Sequence, residues 1–351
     1  MKTIARRRDL AFAVVGATGA VGSEFIELLQ SNGVDPQRVR LFASERSAGR
    51  VIEVGGRPVT VEALRPGCFA GVTIAFFSAG KGISKTWAPQ AIASGAWVVD
   101  NSSCFRMDPA VPLVIPEVNP DAIDACDGPS IVAVPNCSTI VALVAATPLH
   151  RVARVRRMTV ATYQAASGAG AAAMRELEAQ VHDHVASRPM KTDIFGRQYL
   201  FNCFSHNSAI GADGYNEEEA KLLHETRKIW DDPDVRVTAT CVRVPVLRAH
   251  AEAIGLEFET ALSEARAREI LASAPGVEIV DDRVNNRFPE PLQAAGRDPV
   301  LVGRIRADWS LDPGMGLQMF VAGDQIRIGA ALTGWRIAEL IATRLATTRA
   351  T

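Results

Sequence analysis

The chain has 351 residues, 48% of them hydrophobic, with 38 basic and 39 acidic side chains and a formal charge of -1. That length exceeds what a single core fills and predicts two domains, while the balanced charge excludes a global field that would draw nucleic acid or anionic lipid, so any anion must be captured locally. No stretch approaches the ~20 apolar residues of a membrane span, and the cysteines at 68, 104, 126, 137, 203 and 241, none in a Cys-x-x-Cys pair, argue against a zinc site or a disulfide framework and for a reducing cytoplasm.

Arg6, Arg7 and Arg8 resemble the basic start of a signal peptide, but the apolar run behind them is short and ends in glycines rather than a cleavage site. That run, residues 10–15, reads as a first strand. It leads into Gly16-Ala17-Thr18-Gly19-Ala20-Val21-Gly22 and an amphipathic helix through Leu29. Glycines let a backbone approach a pyrophosphate, and a helix N-terminus supplies N–H donors to it. The spacing is Gly-x-x-Gly-x-x-Gly rather than Gly-x-Gly-x-x-Gly, so the position after a buried strand carries as much weight as the glycines.

Residues 39–43 read as a second parallel strand, ending in Ser44-Glu45-Arg46-Ser47-Ala48-Gly49. Residues 73–77 and 97–99 read as further strands. They close on Ser78-Ala79-Gly80 and on Asp100-Asn101-Ser102-Ser103, at the carboxyl ends where doubly wound sheets bind ligands. Strands alternating with helices to about residue 130 give a Rossmann-type dinucleotide-binding domain of the α/β class.

An apolar run at 131–134 then breaks at Pro135, and Cys137 opens an apolar, helical stretch to Leu149. At a helix N-terminus the free N–H groups and the positive end of the macrodipole favour thiolate over thiol. Cys137 is therefore the candidate nucleophile, with Ser138 or Asn136 as cap of the same turn. Beyond it, longer strands at 157–164, 235–244, 253–259, 300–308 and 317–321 suggest a mixed or antiparallel sheet. Helices are expected at about 169–186, 216–230 and 262–272, and residues 187–213 read as a loop insertion or an oligomer contact. A last helix at about 329–347 is expected to pack back on the first domain. His182-Asp183-His184 carries ligand types, but residues two apart on a helix point in different directions, so no metal site is expected.

Several stretches match one family. Pro135-Asn136-Cys137-Ser138-Thr139 resembles the nucleophile segment of the aspartate-β-semialdehyde dehydrogenases, and Arg243-Val244-Pro245-Val246-Leu247-Arg248-Ala249-His250 resembles their Arg-Val-Pro-Val-x-x-Gly-His. Thr162 through Gly170 is nearly verbatim, and Asp100 through Asp108 matches the phosphate-binding loop. Asp324 through Thr333 is similar to Asp-Asn-Leu-Arg-Lys-Gly-Ala-Ala-x-Asn, with departures at Gln325, Ile328 and Thr333. Ala249 and Ala251 replace the more usual glycine and serine around the histidine, and a positive φ at Ala249 would be strained.

The resemblance implies a Rossmann-type NADP-binding domain at 1–132 completed by a C-terminal helix at about 329–351, with an α+β catalytic and dimerisation domain of mixed sheet at 133–328. It implies Cys137 as nucleophile, His250 as acid/base, Gln164 as positioning group, and Asn136 with nearby backbone N–H groups at the oxyanion. Arg243 would hold the substrate carboxylate, Glu219 its ammonium, and Arg106, Asn101 and Lys221 the phosphate. NADP would lie against Gly16, Thr18, Gly19, Ala20, Val21, Gly22, Ser44, Arg46, Ser47, Ser78, Ala79, Gly80, Ser167, Gly168 and Gln325, with Glu45 pointing outward. The implied activity is NADP-dependent reductive dephosphorylation of L-aspartyl-4-phosphate to the semialdehyde, by a cytoplasmic homodimer or dimer of dimers. The alternatives are an N-acetylglutamyl-phosphate reductase and a non-catalytic nucleotide-binding paralogue.

Overall fold

A computed structural model describes residue 4 and residues 7–348; Arg6 and the end of the expected C-terminal helix, 349–351, lie outside the described residues. The chain divides into two compact units, one ending at Pro135 and resuming at Ala330, the other Asn136–Gly329.

The first unit begins with β1 (Phe12–Val15), every residue of which is buried. The glycine turn leads into α1 (Ala20–Ser31), then β2 (Val39–Ala43), β3 (Val51–Val54), β4 (Arg57–Ala63), β5 (Ile74–Phe77), α2 (Lys81–Ala93), β6 (Trp97–Asp100) and β7 (Ile131–Ala133). The sheet order is β3-β4-β2-β1-β5-β6-β7, parallel throughout except for the β3–β4 hairpin. That hairpin is absent from the sequence reading, although Val51-Ile52-Glu53-Val54 and Val59-Thr60-Val61 flank a Gly55-Gly56 turn. Continuous apolar strands such as β1 and β5 have both faces covered, as parallel strands require.

The second unit opens with α3 (Cys137–Ala153), nearly all of it buried. It continues through β8 (Val155–Gln164), α4 (Ala171–Val185), β9 (Phe204–Ser205), α5 (Glu217–Trp230), β10 (Arg236–Arg243), β11 (His250–Phe258), α6 (Glu264–Ala272), β12 (Val277–Ile279), α7 (Pro291–Ala294), β13 (Val300–Ala307) and β14 (Gly316–Gly323). Its sheet is mixed, in the order β12-β13-β14-β11-β8-β10-β9, with β8 and β10 parallel and β11 antiparallel to β8. The stretch read as a loop insertion contains β9, which pairs with the end of β10.

After a π-helical turn the chain ends in α8 (Leu332–Thr348). Trp335 stacks on Phe76 of β5, and a Cβ at Gly334 would fall 2.7 Å from the Phe25 ring. Among the described residues no helix is long and apolar enough to cross a membrane.

Candidate active site

Cys137 is the first residue of α3 and Asn136 its N-cap. The Asn136 amide oxygen accepts from the N–H groups of Ser138 (3.0 Å) and Thr139 (3.4 Å), so Asn136, not Ser138, caps the turn. Its amide nitrogen donates to Glu218 Oε1 (2.9 Å) and its own backbone N–H to Glu225 Oε2 (2.6 Å). These bonds commit the Asn136 amide oxygen and one hydrogen of its NH2 group. They fix the turn that carries the thiol.

The mixed sheet brings the other groups together by register. Arg243 stands opposite Gln164 across β10 and β8, and Ala251 stands opposite Tyr163 across β11 and β8. The ends of β8 and β10 and the start of β11 thus meet at one edge, and partners in register share a face. Gln164, Arg243 and His250 are all buried there. The Ala165 N–H donates to His250 Nδ1 (3.1 Å), which assigns the neutral ring's proton to Nε2. Burial, and after it the Arg243 charge, hold the imidazole down to about 3, so the ring is neutral at neutral pH. A Cβ on Gly168 would come within 2.9 Å of both His250 Nε2 and Arg243 Nη1; the glycine keeps open the space between a proton carrier and a cation. Burial also lowers the Arg243 pKa, and Glu218 is the leading opposing charge.

Before His250, buried Ala249 has φ +74°, a left-handed conformation that costs an L-residue roughly 1–2 kcal/mol. The strain foreseen at this alanine is present. Its N–H donates to Gln325 Oε1 (2.9 Å), and Gln325 Nε2 donates to Ser167 Oγ. Gln325 and Ser167, both expected at the cofactor, brace the histidine's turn.

On α5 two neighbouring glutamates have different surroundings. Glu219 is the third residue of a capping box: Asn216 N–H donates to its Oε2 (2.9 Å), while its Oε1 takes the Cys241 N–H (3.0 Å). Its carboxylate accepts from two backbone donors. Glu218 is the buried one. It accepts from Asn136 Nδ2 and Gln164 Nε2 (3.1 Å) on Oε1 and from Lys221 Nζ (2.9 Å) on Oε2. Burial alone would raise its pKa, but Lys221 and the hydrogen bonds hold it well below the usual carboxylate range. Three acceptor positions of about four are filled, which leaves one for a ligand donor.

The segment after β9, read from the sequence as a loop insertion or an oligomer contact, reaches the same edge. Arg243 Nη2 lies 2.8 Å from His206 Nε2, and Arg243 Nε donates to Asn207 Oδ1 (3.3 Å).

In the first unit, the buried Asp100 carboxylate accepts from Ser84 Oγ (2.7 Å), Ser102 N–H (3.0 Å) and Ser102 Oγ (2.9 Å), which shapes the loop after β6. Burial pushes its pKa up. Arg106 donates to the Asn101 carbonyl (2.9 Å), and the buried Asn101 amide has no hydrogen-bond partner at either end among the described residues. An unmet buried amide costs about 1–3 kcal/mol, so it suits a ligand.

A cavity of about 480 Å³ lies at the carboxyl ends of β1 and β2, lined in part by Gly16, Thr18, Gly19, Ser44, Ser78 and Ala79. Gly16 has φ +93°, and a Cβ there would lie 2.9 Å from the Ser78 carbonyl; a Cβ at Gly22 would sit 2.1 Å from the Gly16 oxygen. Only glycines close this turn, and its fit to a dinucleotide rests on that cradle. Ala20, Val21 and Gly22 belong to the first turn of α1, and Gly80 precedes α2 as its N-cap. Glu45, expected to point outward, lines the cavity, whereas Arg46 and Ser47 lie beside it in a 3-10 turn.

A glycine cradle in one unit and, in the other, a thiol at a helix start with a buried imidazole and guanidinium define a class of nucleotide-dependent dehydrogenase. The chain belongs to the semialdehyde dehydrogenase family: residues 11–126 match its NAD binding domain and residues 147–328 its dimerisation domain. It is 49% identical to the aspartate-semialdehyde dehydrogenase of Synechocystis sp., over 95% of this chain and 97% of that one. Among solved structures it resembles aspartate semialdehyde dehydrogenase II of Vibrio cholerae complexed with ASA, with TM-score 0.91, 40% identity and coverage of 95% and 98%. It also resembles the Candida albicans aspartate semialdehyde dehydrogenase with NADP, with TM-score 0.74, 26% identity and coverage of 95% and 98%.

Proposed function

We propose that the protein is an NADP-dependent aspartate-semialdehyde dehydrogenase, which converts L-aspartyl-4-phosphate to L-aspartate-4-semialdehyde and phosphate in the cytoplasm as a homodimer, at the branch toward lysine, threonine and methionine. The observation that carries this reading is the meeting of Gln164, Arg243 and His250 at one sheet edge, with the Cys137 turn tied through Asn136 to Glu218.

The Cys137 thiolate attacks the acyl carbon; a C–S bond forms, the C–O bond to phosphate breaks, and phosphate leaves. The bound nicotinamide nucleotide supplies the hydride that reduces the thioester. His250 Nε2 faces the oxygen and carries the proton as the C–S bond breaks, releasing aldehyde and thiolate. Arg243 grips the substrate's α-carboxylate, and Glu218 takes the α-ammonium at its remaining acceptor position. An N-acylated substrate would bring no charge to Glu218, which favours the free amine over the N-acetylglutamyl alternative. Arg106, Asn101 and Lys221 are the residues assigned to the phosphate.

NADP preference rests on Arg46 and the hydroxyls of Ser44 and Ser47 at the strand end, and on the Candida albicans relative solved with NADP. Glu45 on the cavity wall favours the rival reading, an acid on the ribose 2′-OH of NAD. The test is the reverse assay, with aspartate semialdehyde, phosphate and either nucleotide. Phosphate-dependent NADPH formation is expected, and Arg46→Ala should weaken NADP by roughly 10-fold or more and NAD little, since a charge-assisted contact is worth about 1.5–3 kcal/mol. Equal losses, or a wild type preferring NAD, would make Glu45 the reader; no reduction of either nucleotide would favour a non-catalytic paralogue.

A further inference from the structure

Arg243 can only donate hydrogen bonds, and its partners are fixed: Nε to Asn207 Oδ1 (3.3 Å), Nη1 to the Ala165 carbonyl (3.2 Å) and Nη2 to His206 Nε2 (2.8 Å). The 2.8 Å contact makes sense only if His206 is neutral with its lone pair on Nε2 and its proton on Nδ1. Nδ1 then donates to Ser208 Oγ (3.0 Å). The Ser208 N–H also approaches Nδ1 (3.2 Å), and taking that as the bond would set two N–H groups face to face at Arg243. The shorter contact, with the charged group, decides. Ser208 Oγ in turn accepts from the Glu218 N–H (3.2 Å) and donates to Asn216 Oδ1 (3.4 Å), the cap of α5. A chain of hydrogen bonds thus runs from the guanidinium through His206 and Ser208 to the helix that carries Glu218.

We propose that His206 is a positioning residue: it accepts from Arg243 Nη2 and holds the guanidinium so that its remaining N–H on each terminal nitrogen faces the substrate's carboxylate. This rests on the assignment of Arg243 to that carboxylate. Three anchors on three different partners leave a planar group no freedom to swing, and a fork already in place loses less on binding. Burial, ahead of any charge, lowers the His206 pKa to about 4, which agrees with the neutral form.

The test is steady-state kinetics of the full-length enzyme with aspartate semialdehyde, phosphate and nucleotide. His206→Ala should raise KM for the semialdehyde about 10-fold, with kcat within about 2-fold and KM for phosphate and nucleotide unchanged. His206→Gln, whose Oε1 can accept where Nε2 did, should recover most of the loss. An unchanged KM in His206→Ala, or a His206→Gln no better than alanine, would overturn the proposal. Arg243→Lys separates the two layers. If it leaves KM for the semialdehyde unmoved, the carboxylate assignment itself has failed. If it raises KM, His206→Ala should add nothing further in that background, and an additive effect would mean that His206 acts on the substrate independently of Arg243.

Discussion

At His250 two causes depress the imidazole, burial first and the Arg243 charge second, and substrate acts on the second. A carboxylate laid on Arg243 cancels part of its charge, so imidazolium becomes less unfavourable and the pKa rises in the complex. In the oxidative direction His250 must accept a proton, so rate is lost as pH falls through its pKa. The acid limb of kcat is therefore expected at higher pH than that of kcat/KM, the first reporting the complex and the second the free enzyme. Superimposed limbs would contradict the coupling. Glu218 and Glu219 give a second contrast. Glu218→Gln should raise KM for the semialdehyde about 10-fold, whereas Glu219→Ala should cost about 1–2 kcal/mol of stability through lost caps and leave KM nearly unchanged; the reverse pattern would restore Glu219 to the substrate.

Those adjacent glutamates also show what was legible at the level of elements. Asn216-Glu217-Glu218-Glu219 spells a capping box, which assigns Glu219 to the backbone. The apolar pairs Leu222-Leu223 and Ile229-Trp230 blur the phase of the helix, so the match to a family motif alone set the register that gave Glu219 to the substrate. In the fold the buried stripe is Glu218, Leu222, Glu225, Thr226 and Ile229. Cys137 was legible from its place at the start of an apolar helix, and Gln164, Arg243 and His250 through their match to family stretches. His206 was not, since a two-residue strand has no periodicity to read. β11 carries one further consequence. Glu252 is fully buried, and among the described residues neither of its oxygens has a hydrogen-bond partner. Burial raises its pKa well above the ordinary value, so the folded state holds a proton that the unfolded chain gives up above about pH 4.5. That contribution is complete below this pH and is lost as pH rises toward the folded pKa. Glu252→Gln should therefore gain stability relative to wild type between pH 5 and pH 9 in thermal melts; parallel curves would show that Glu252 is ionised in the fold.

Across the whole molecule, the two units divide the labour. The unit with the glycine cradle was readable from continuous apolar strands ending in small residues, while the β3–β4 hairpin, short and partly exposed, was passed over despite the Gly55-Gly56 turn between its strands. The mixed sheet was readable as strands but not in its order, which long-range pairing sets. The central claim is that Cys137 carries an aspartyl group between phosphate and hydride transfer. Enzyme mixed with aspartate semialdehyde and NADP in the absence of phosphate should give a burst of NADPH and stop. Mass spectrometry of the quenched protein should then show one aspartyl group on the peptide containing Cys137, discharged when phosphate is added and absent from Cys137→Ala. A burst without that adduct, or an adduct on another cysteine, would contradict the account.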